Sequence, residues 1–347
     1  MIKIAVLGCA HGHAGMYAKV WSETDLGVKI VSVWDHEAER AAKFAKPIQA
    51  EVAGSVAAAI ASADAVLIAA ETNRHAELVE GAAAKGKAIV LQKPLATTLA
   101  DGERIVQAVK QSKVPFTMAW QMRVDPQNMK AKELMQNGTL GKILMVRRRH
   151  GLPTQAWENF EKTWHVDPVA NRDIWADDVS HAVDFMLWLL GKPQTLTAEI
   201  GSLLNPKIPN DNGIILFRYP QGTIGEVSSS FTCLAGENTL EVVGDKGVLI
   251  QNFGDLPSAS SRDVANTPLS GLRWYLQSEK RWTYSEIPTP KEHGERIRGL
   301  ARPLAEFLQG KRAAIATAME GLQCLQMVAA TYESNAQGKL VTLALAE

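Results

Sequence analysis

The chain has 347 residues, 46% hydrophobic and 21% charged, enough for two domains and a sizeable core. Its 37 Lys and Arg balance 37 Asp and Glu, which removes the electrostatic ground for a nucleic-acid or anionic-membrane partner. Cys9, Cys233 and Cys324 are too scattered for a disulfide framework, no secretory pattern opens the sequence, and no apolar run could span a bilayer, so a cytoplasmic protein is expected.

Residues 2–7 read as a buried strand, followed by a helix over 13–23 with Met16, Tyr17, Val20 and Trp21 on one side. A strand at 28–34 and a helix at 37–45 come next. Short apolar strands at 65–69, 88–91 and 116–118 alternate with helices rich in Ala, Glu and Lys. Repeated strand–helix–strand units predict a parallel sheet with helices on both faces, a Rossmann-like α/β domain over 1–120. Beyond it Asp125-Pro126 starts a helix and Asn137-Gly138 ends it. Mostly strands follow, at 143–150, 195–202, 213–219, 223–231, 239–243 and 248–251, interrupted by one helix at 178–190. Residues 252–290, rich in Ser, Pro and Gly, read as a long loop. Helices at 296–309 and 317–335 and a strand at 340–345 close the chain. An α+β domain with a large, mostly antiparallel open sheet is therefore expected over 121–347.

The segment Leu7-Gly8-Cys9-Ala10-His11-Gly12-His13 lies where the first strand meets the first helix. Glycines there let backbone amides approach a pyrophosphate, and the helix start favours its charge. Gly8 fills the first position of the dinucleotide fingerprint, while Ala10 and His13 stand at the second and third. Asp35 ends the second strand at the distance where an acid accepts hydrogen bonds from the adenine ribose. Its carboxylate would repel a 2′-phosphate, and His36 and Glu37 follow rather than Arg, which favours NAD over NADP. The alternative is that Asp35 only caps the next helix. His11 and His13 lack accompanying ligands at metal-site spacing, so no metal is expected. Cys9 reads as a small residue in a tight loop.

Three further segments carry a family resemblance. Ala83-Ala84-Lys85-Gly86-Lys87-Ala88-Ile89-Val90-Leu91-Gln92-Lys93-Pro94-Leu95-Ala96 resembles the "aGKhV..EKPla" segment of the glucose–fructose oxidoreductase / inositol dehydrogenase / MocA family. Asp177-Asp178-Val179-Ser180-His181-Ala182-Val183-Asp184 resembles that family's D-x-G-x-H-x-x-D helix. The tail from Pro303 to Ser334 is similar as well. Departures are Gln92 for Glu, Glu71 for a common Pro, Gln121-Met122-Arg123 for Asn-x-Arg, and Val179 for a small residue. The resemblance implies an NAD-dependent oxidoreductase acting on a sugar, a polyol or a derivative. It implies Lys93, Asp177 and His181 as the catalytic set, with His181 and Lys93 as the acid–base pair. It further places Ala70, Thr72, His75 and Gln92 against the cofactor, and implies a homodimer or homotetramer packed through the open sheet.

Residues 177, 181, 184 and 188 are spaced to form one stripe on an otherwise apolar helix. Buried acids and a His need partners, either each other or a hydroxylated substrate. The resemblance implies that Asp177 orients His181 or relays the proton, and that Asp184 binds a substrate hydroxyl. Arg123, His150 and Trp164 are further substrate candidates, and Trp157, Trp175 and His165 lie in the polar segment before the helix. On the 143–150 strand Arg147 and Arg149 should share one face, Arg148 and His150 the other. Two rival readings remain at this point: a redox glycosidase that retains NAD, and a non-catalytic nucleotide-binding regulator.

Overall fold

The computed structural model describes residues 1–234, 238–251, 271–290 and 293–347. Its first sheet holds six strands: β1 (Ile2–Leu7), β2 (Val28–Trp34), β3 (Glu51–Val52), β4 (Ala65–Ile68), β5 (Ala88–Leu91) and β6 (Phe116–Met118). They run parallel in the order β3-β2-β1-β4-β5-β6. The strands are apolar without alternation because both faces are covered. In β1, Ile4 and Val6 enter one core while Ala5 and Leu7 enter the other.

Between these strands lie α1 (His13–Glu23), α2 (Ala38–Ala45), α3 (Val56–Ala61), α4 (His75–Ala84) and α5 (Leu99–Ser112). Asp125 caps α6 (Pro126–Gln136) through the Asn128 amide, as its Asp-Pro start predicts. β7 (Ile143–Gly151), α7 (Ser180–Leu190), β8 (Thr195–Gly201), β9 (Asn212–Arg218), β10 (Ile224–Ser230), β11 (Asn238–Gly244) and β12 (Gly247–Gln251) follow. Then come β13 (Leu272–Leu276), β14 (Arg281–Tyr284), α8 (His293–Arg298), α9 (Ala301–Leu308), α10 (Ala318–Gln337) and β15 (Val341–Thr342).

The second sheet has the order β14-β13-β12-β11-β7-β10-β9-β8-β15 and is antiparallel except for the β7–β10 pair. Its inner face packs on α7 and α10. On β7, Arg148 and His150 point inward and are buried, while Arg147 and Arg149 are exposed, as the alternation predicts.

Four expectations need correction. The loop expected over 252–290 contains β13 and β14, where Leu272, Trp274 and Leu276 reach the core; residues 252–270 lie outside the described residues. The helix expected over 296–309 is two helices broken at Gly299-Leu300. The strand expected over 340–345 is reduced to β15. The helix expected from 178 begins at Ser180, preceded by a π turn over Trp175–Val179.

The chain also returns to its beginning. Ile297, Leu300, Ala301, Leu304 and Ala305 pack with Ile4, Val6, Tyr17 and Trp21. The Trp21 indole N–H donates to the Ala301 carbonyl at 2.7 Å. The first sheet's core thus includes two helices that lie far beyond residue 120.

Candidate active site

Gly8 leaves β1 with φ +81°, and a Cβ there would lie 2.3 Å from the Ala70 Cβ. Only glycine permits that approach of the β1–α1 turn to the loop after β4. A Cβ on Gly12 would meet nothing within 4 Å. Among the described residues no side chain caps α1; the Ala14 amide donates to the His11 carbonyl, and the start of the helix still favours an anion through its dipole. His11 is buried, and neither of its ring nitrogens has a hydrogen-bond partner among the described residues. Burial and the neighbouring His13, Lys93, His165 and His181 hold it well below the usual imidazole range. An open turn, an uncapped helix start and orphaned nitrogens fit a dinucleotide.

Lys93 follows β5 and is 2% exposed. Its Nζ donates to Asp177 Oδ1 at 2.7 Å and lies 3.8 Å from Asp178 Oδ1. Two successive residues of an α-helix point about 100° apart. The wider π turn turns both carboxylates toward one ammonium, and such turns recur at functional sites. Asp177 Oδ2 pairs with His165 Nδ1. Asp178 Oδ2 meets His150 Nε2 at 2.7 Å, and its Oδ1 lies 3.7 Å from His181 Nε2. His150 Nδ1 is held in turn by Asn238 Oδ1. His181 Nδ1 has no hydrogen-bond partner among the described residues. The Trp120 ring stands edge-on to His181 at 5.4 Å.

These contacts set the charges. Burial drives His181 well below its usual range, Lys93 adds to this, and Asp178 opposes it. Burial works against the carboxylates of Asp177 and Asp178, but Lys93 and the paired histidines outweigh it and hold both ionised. A neutral imidazole beside a cation and two anions can take up a proton that a carboxylate then stabilises.

The segment between β7 and α7 closes over this set. Trp164 stacks on His165 at 4.0 Å and donates its indole N–H to the Ala10 carbonyl at 3.1 Å. Thr72 Oγ1 donates to Asn171 Oδ1 at 2.6 Å, and the Asn73 amide donates to the Ala170 carbonyl.

Several expected site residues are engaged elsewhere. Arg123 forms a two-pronged pair with Asp184 at 2.7 and 3.0 Å, and its remaining nitrogen reaches Glu320 and the Ile315 carbonyl. Both side chains are buried and satisfied, so they brace α7 against α10 rather than present polar groups to a substrate. Asp177 does not face His181; Asp178 does. His75 is wholly buried against the carbonyls of Ala70, Pro94 and Leu95, and so joins two loops. Gln92 donates to the buried Tyr17 hydroxyl. Asp35 accepts from the Glu37 and Cys9 amides and from Arg40. Burial and Asp35 push the Cys9 thiol up to about 12, so it is no thiolate. Asp178, Asn238, Arg40 and Glu71 were not among the expected site residues. Two adjacent acids before an apolar helix were the available signal for Asp178.

Comparison with known proteins agrees with this geometry. Residues 2–119 match "Oxidoreductase family, NAD-binding Rossmann fold", and residues 128–250 match the "GFO/IDH/MocA C-terminal domain". Inositol 2-dehydrogenase 3 of Saccharopolyspora erythraea is 32% identical over 259 residues, 70% of this chain and 71% of that protein. Myo-inositol 2-dehydrogenase of Thermotoga maritima is 28% identical over 193 residues, 53% of this chain; the match spans only 55% of that relative. A levoglucosan dehydrogenase solved in complex with NADH superposes with a TM-score of 0.85 at 19% identity, covering 99% of this chain and all of that one, a likeness of fold. The chain belongs to the GFO/IDH/MocA family of NAD-binding oxidoreductases.

Proposed function

We propose that this oxidoreductase moves a hydride between NAD and a secondary alcohol of a sugar, a polyol or a close derivative. The observation that carries the reading is the buried set of Lys93, Asp177, Asp178 and His181 at the C-terminal ends of the parallel strands. When bound, NAD⁺ supplies the hydride acceptor. His181 takes the hydroxyl proton through its Nδ1, which no described residue holds, and Asp178 stabilises the resulting imidazolium from the Nε2 side. Lys93, aimed by Asp177, donates a hydrogen bond to the reacting oxygen and stabilises its alkoxide character. His165 orients Asp177, and Trp164 and the segment around it exclude water. Trp164 is the proposed substrate contact through its ring, while His150, with both ring nitrogens engaged, holds Asp178 in place. The inositol and levoglucosan dehydrogenases among the relatives support a polyhydroxylated substrate.

The outer face of the second sheet exposes Ile214 and Leu216, beside Arg147, Glu226 and Glu241. It supports association of two copies face to face, which light scattering would register as twice the chain mass or more.

The test is NAD⁺ reduction measured across inositols, aldoses, glycosides and sugar acids, with NADP⁺ in parallel. One class should give stoichiometric NADH. Turnover of a glycoside without net NADH would replace this reading with a redox glycosidase.

A further inference from the structure

Asp35 stands where the adenine ribose of a Rossmann cofactor is received, yet its carboxylate has no room left. Oδ1 accepts from the Glu37 amide and Arg40 Nη2, both at 2.8 Å. Oδ2 accepts from the Cys9 amide at 2.6 Å and from Arg40 Nε at 2.8 Å. A carboxylate offers about four acceptor sites, and all four are taken.

Arg40 does not stop there. Nη2 also donates to Glu71 Oε1 at 2.7 Å, and Nη1 lies 3.2 Å from Glu37 Oε1. Arg40 therefore bridges α2 and the loop after β4, across the end of β1. Glu71 is the acid that stands where the family commonly has Pro. Its side chain is 9% exposed, and its Oε2 is buried without a hydrogen-bond partner among the described residues. A buried, unsatisfied carboxylate oxygen is costly unless something donates to it. His36 Nδ1, at 3.7 Å, is too far to do so. His36, Glu37 and Glu71 lie close enough to gather a cation, but the Arg40 guanidinium is already paired with both acids, which disfavours one.

We propose that Glu71 Oε2 accepts a hydroxyl of the adenine ribose, with Arg40 clamped between Asp35 and Glu71, and that this arrangement sets the preference for NAD over NADP. A 2′-phosphate placed there meets Asp35, Glu37 and Glu71, and the Arg40 guanidinium beside it is already bound to all three. The inference rests on NAD binding by the fold and not on the substrate reading.

The test is binding, which needs no substrate. NADH, NADPH and 2′-deoxy-NADH are titrated calorimetrically into the full chain, wild type and Glu71→Gln. The wild type should bind NADH more tightly than either analogue. In Glu71→Gln the NADH affinity should fall about tenfold or more, the scale of one hydrogen bond to a charged group, and NADPH should not lose affinity. The variant should also stop distinguishing NADH from its 2′-deoxy form. Glu71→Asp, which keeps the charge but withdraws the oxygen, should lose NADH affinity too and serves if the Gln variant does not fold. Unchanged NADH-to-NADPH ratios in both variants overturn the proposal. So does an Asp35→Asn variant that alone abolishes the discrimination, which returns the ribose to Asp35. Failure here leaves the oxidoreductase reading untouched, because no turnover is measured.

Discussion

His181 sits where burial and the neighbouring Lys93 both work against its protonated form, while Asp178 works for it. That balance suits a base that must be neutral before the reaction and charged during it. We expect His181→Ala to abolish turnover while NADH binding persists; loss of NADH binding in calorimetry would remove His181 from the proton-transfer role. Asp178→Asn should lower kcat at least about tenfold with a smaller change in KM. Without the carboxylate the His181 pKa falls further, so the acidic limb of the kcat–pH profile should move to lower pH. An unmoved limb would make Asp178 merely structural. That Lys93 and Asp177 would meet beside His181 was legible in the sequence because each sits in a recognisable motif. Asp178 was not, because helical periodicity places it away from Asp177, and the extra residue of a π turn leaves no trace in hydrophobic spacing.

At the scale of elements, the stripe on α7 divides. Asp177 and Asp178, in the π turn before it, face Lys93, whereas Asp184, about one turn into α7, serves the join between α7, the segment after β6 and the start of α10. Burial works against the Arg123 charge, but Asp184 and Glu320 outweigh it and keep the guanidinium protonated. Breaking one side of such a buried pair leaves an uncompensated charge. Arg123→Ala should cost about 3–5 kcal/mol in denaturant unfolding, and the fraction that stays folded should keep its KM for substrate. A raised KM at unchanged stability would restore Arg123 as a substrate ligand. Sequence spacing showed that these charges share a face but not which neighbour meets them. The break between α8 and α9 did have a signal. Pro303 is tolerated in the first turn of a helix, so it marks the start of α9 rather than the middle of one long helix. β13 and β14 were hidden because the Ser-, Pro- and Gly-rich composition of residues 252–290 outweighed two short strands.

At the scale of the whole molecule, three buried histidines set the response to acid. His11, His75 and His181 are each held below the usual imidazole range, chiefly by burial. In the unfolded chain they titrate near about pH 6.5. Below that value the unfolded state binds protons that the folded state refuses, so stability falls as pH drops. Asp177 and Asp178 act further into acid: below about pH 4 the unfolded chain's carboxylates take up protons that these two, held ionised, still refuse, so stability falls again. Melting temperature should therefore be level above about pH 7 and decline from about pH 6.5 downward. A flat profile to about pH 5 would mean that these imidazoles are protonated in the fold.

The alternation of strands and helices was enough to read a parallel layer followed by a mostly antiparallel one. It could not reveal that the last third of the chain closes the first layer. Trp21 and Ile4 lie under Ala301 and Leu304, nearly 300 positions away along the chain. While the protein is being made, one flank of the nucleotide-binding sheet must therefore stay wet until residues 297–305 have left the ribosome. The cofactor half cannot ripen early and wait for the rest. Residues nearly 300 positions apart must both be in place before the nucleotide-binding layer is finished, so that layer's folding waits on the helices that follow the second sheet.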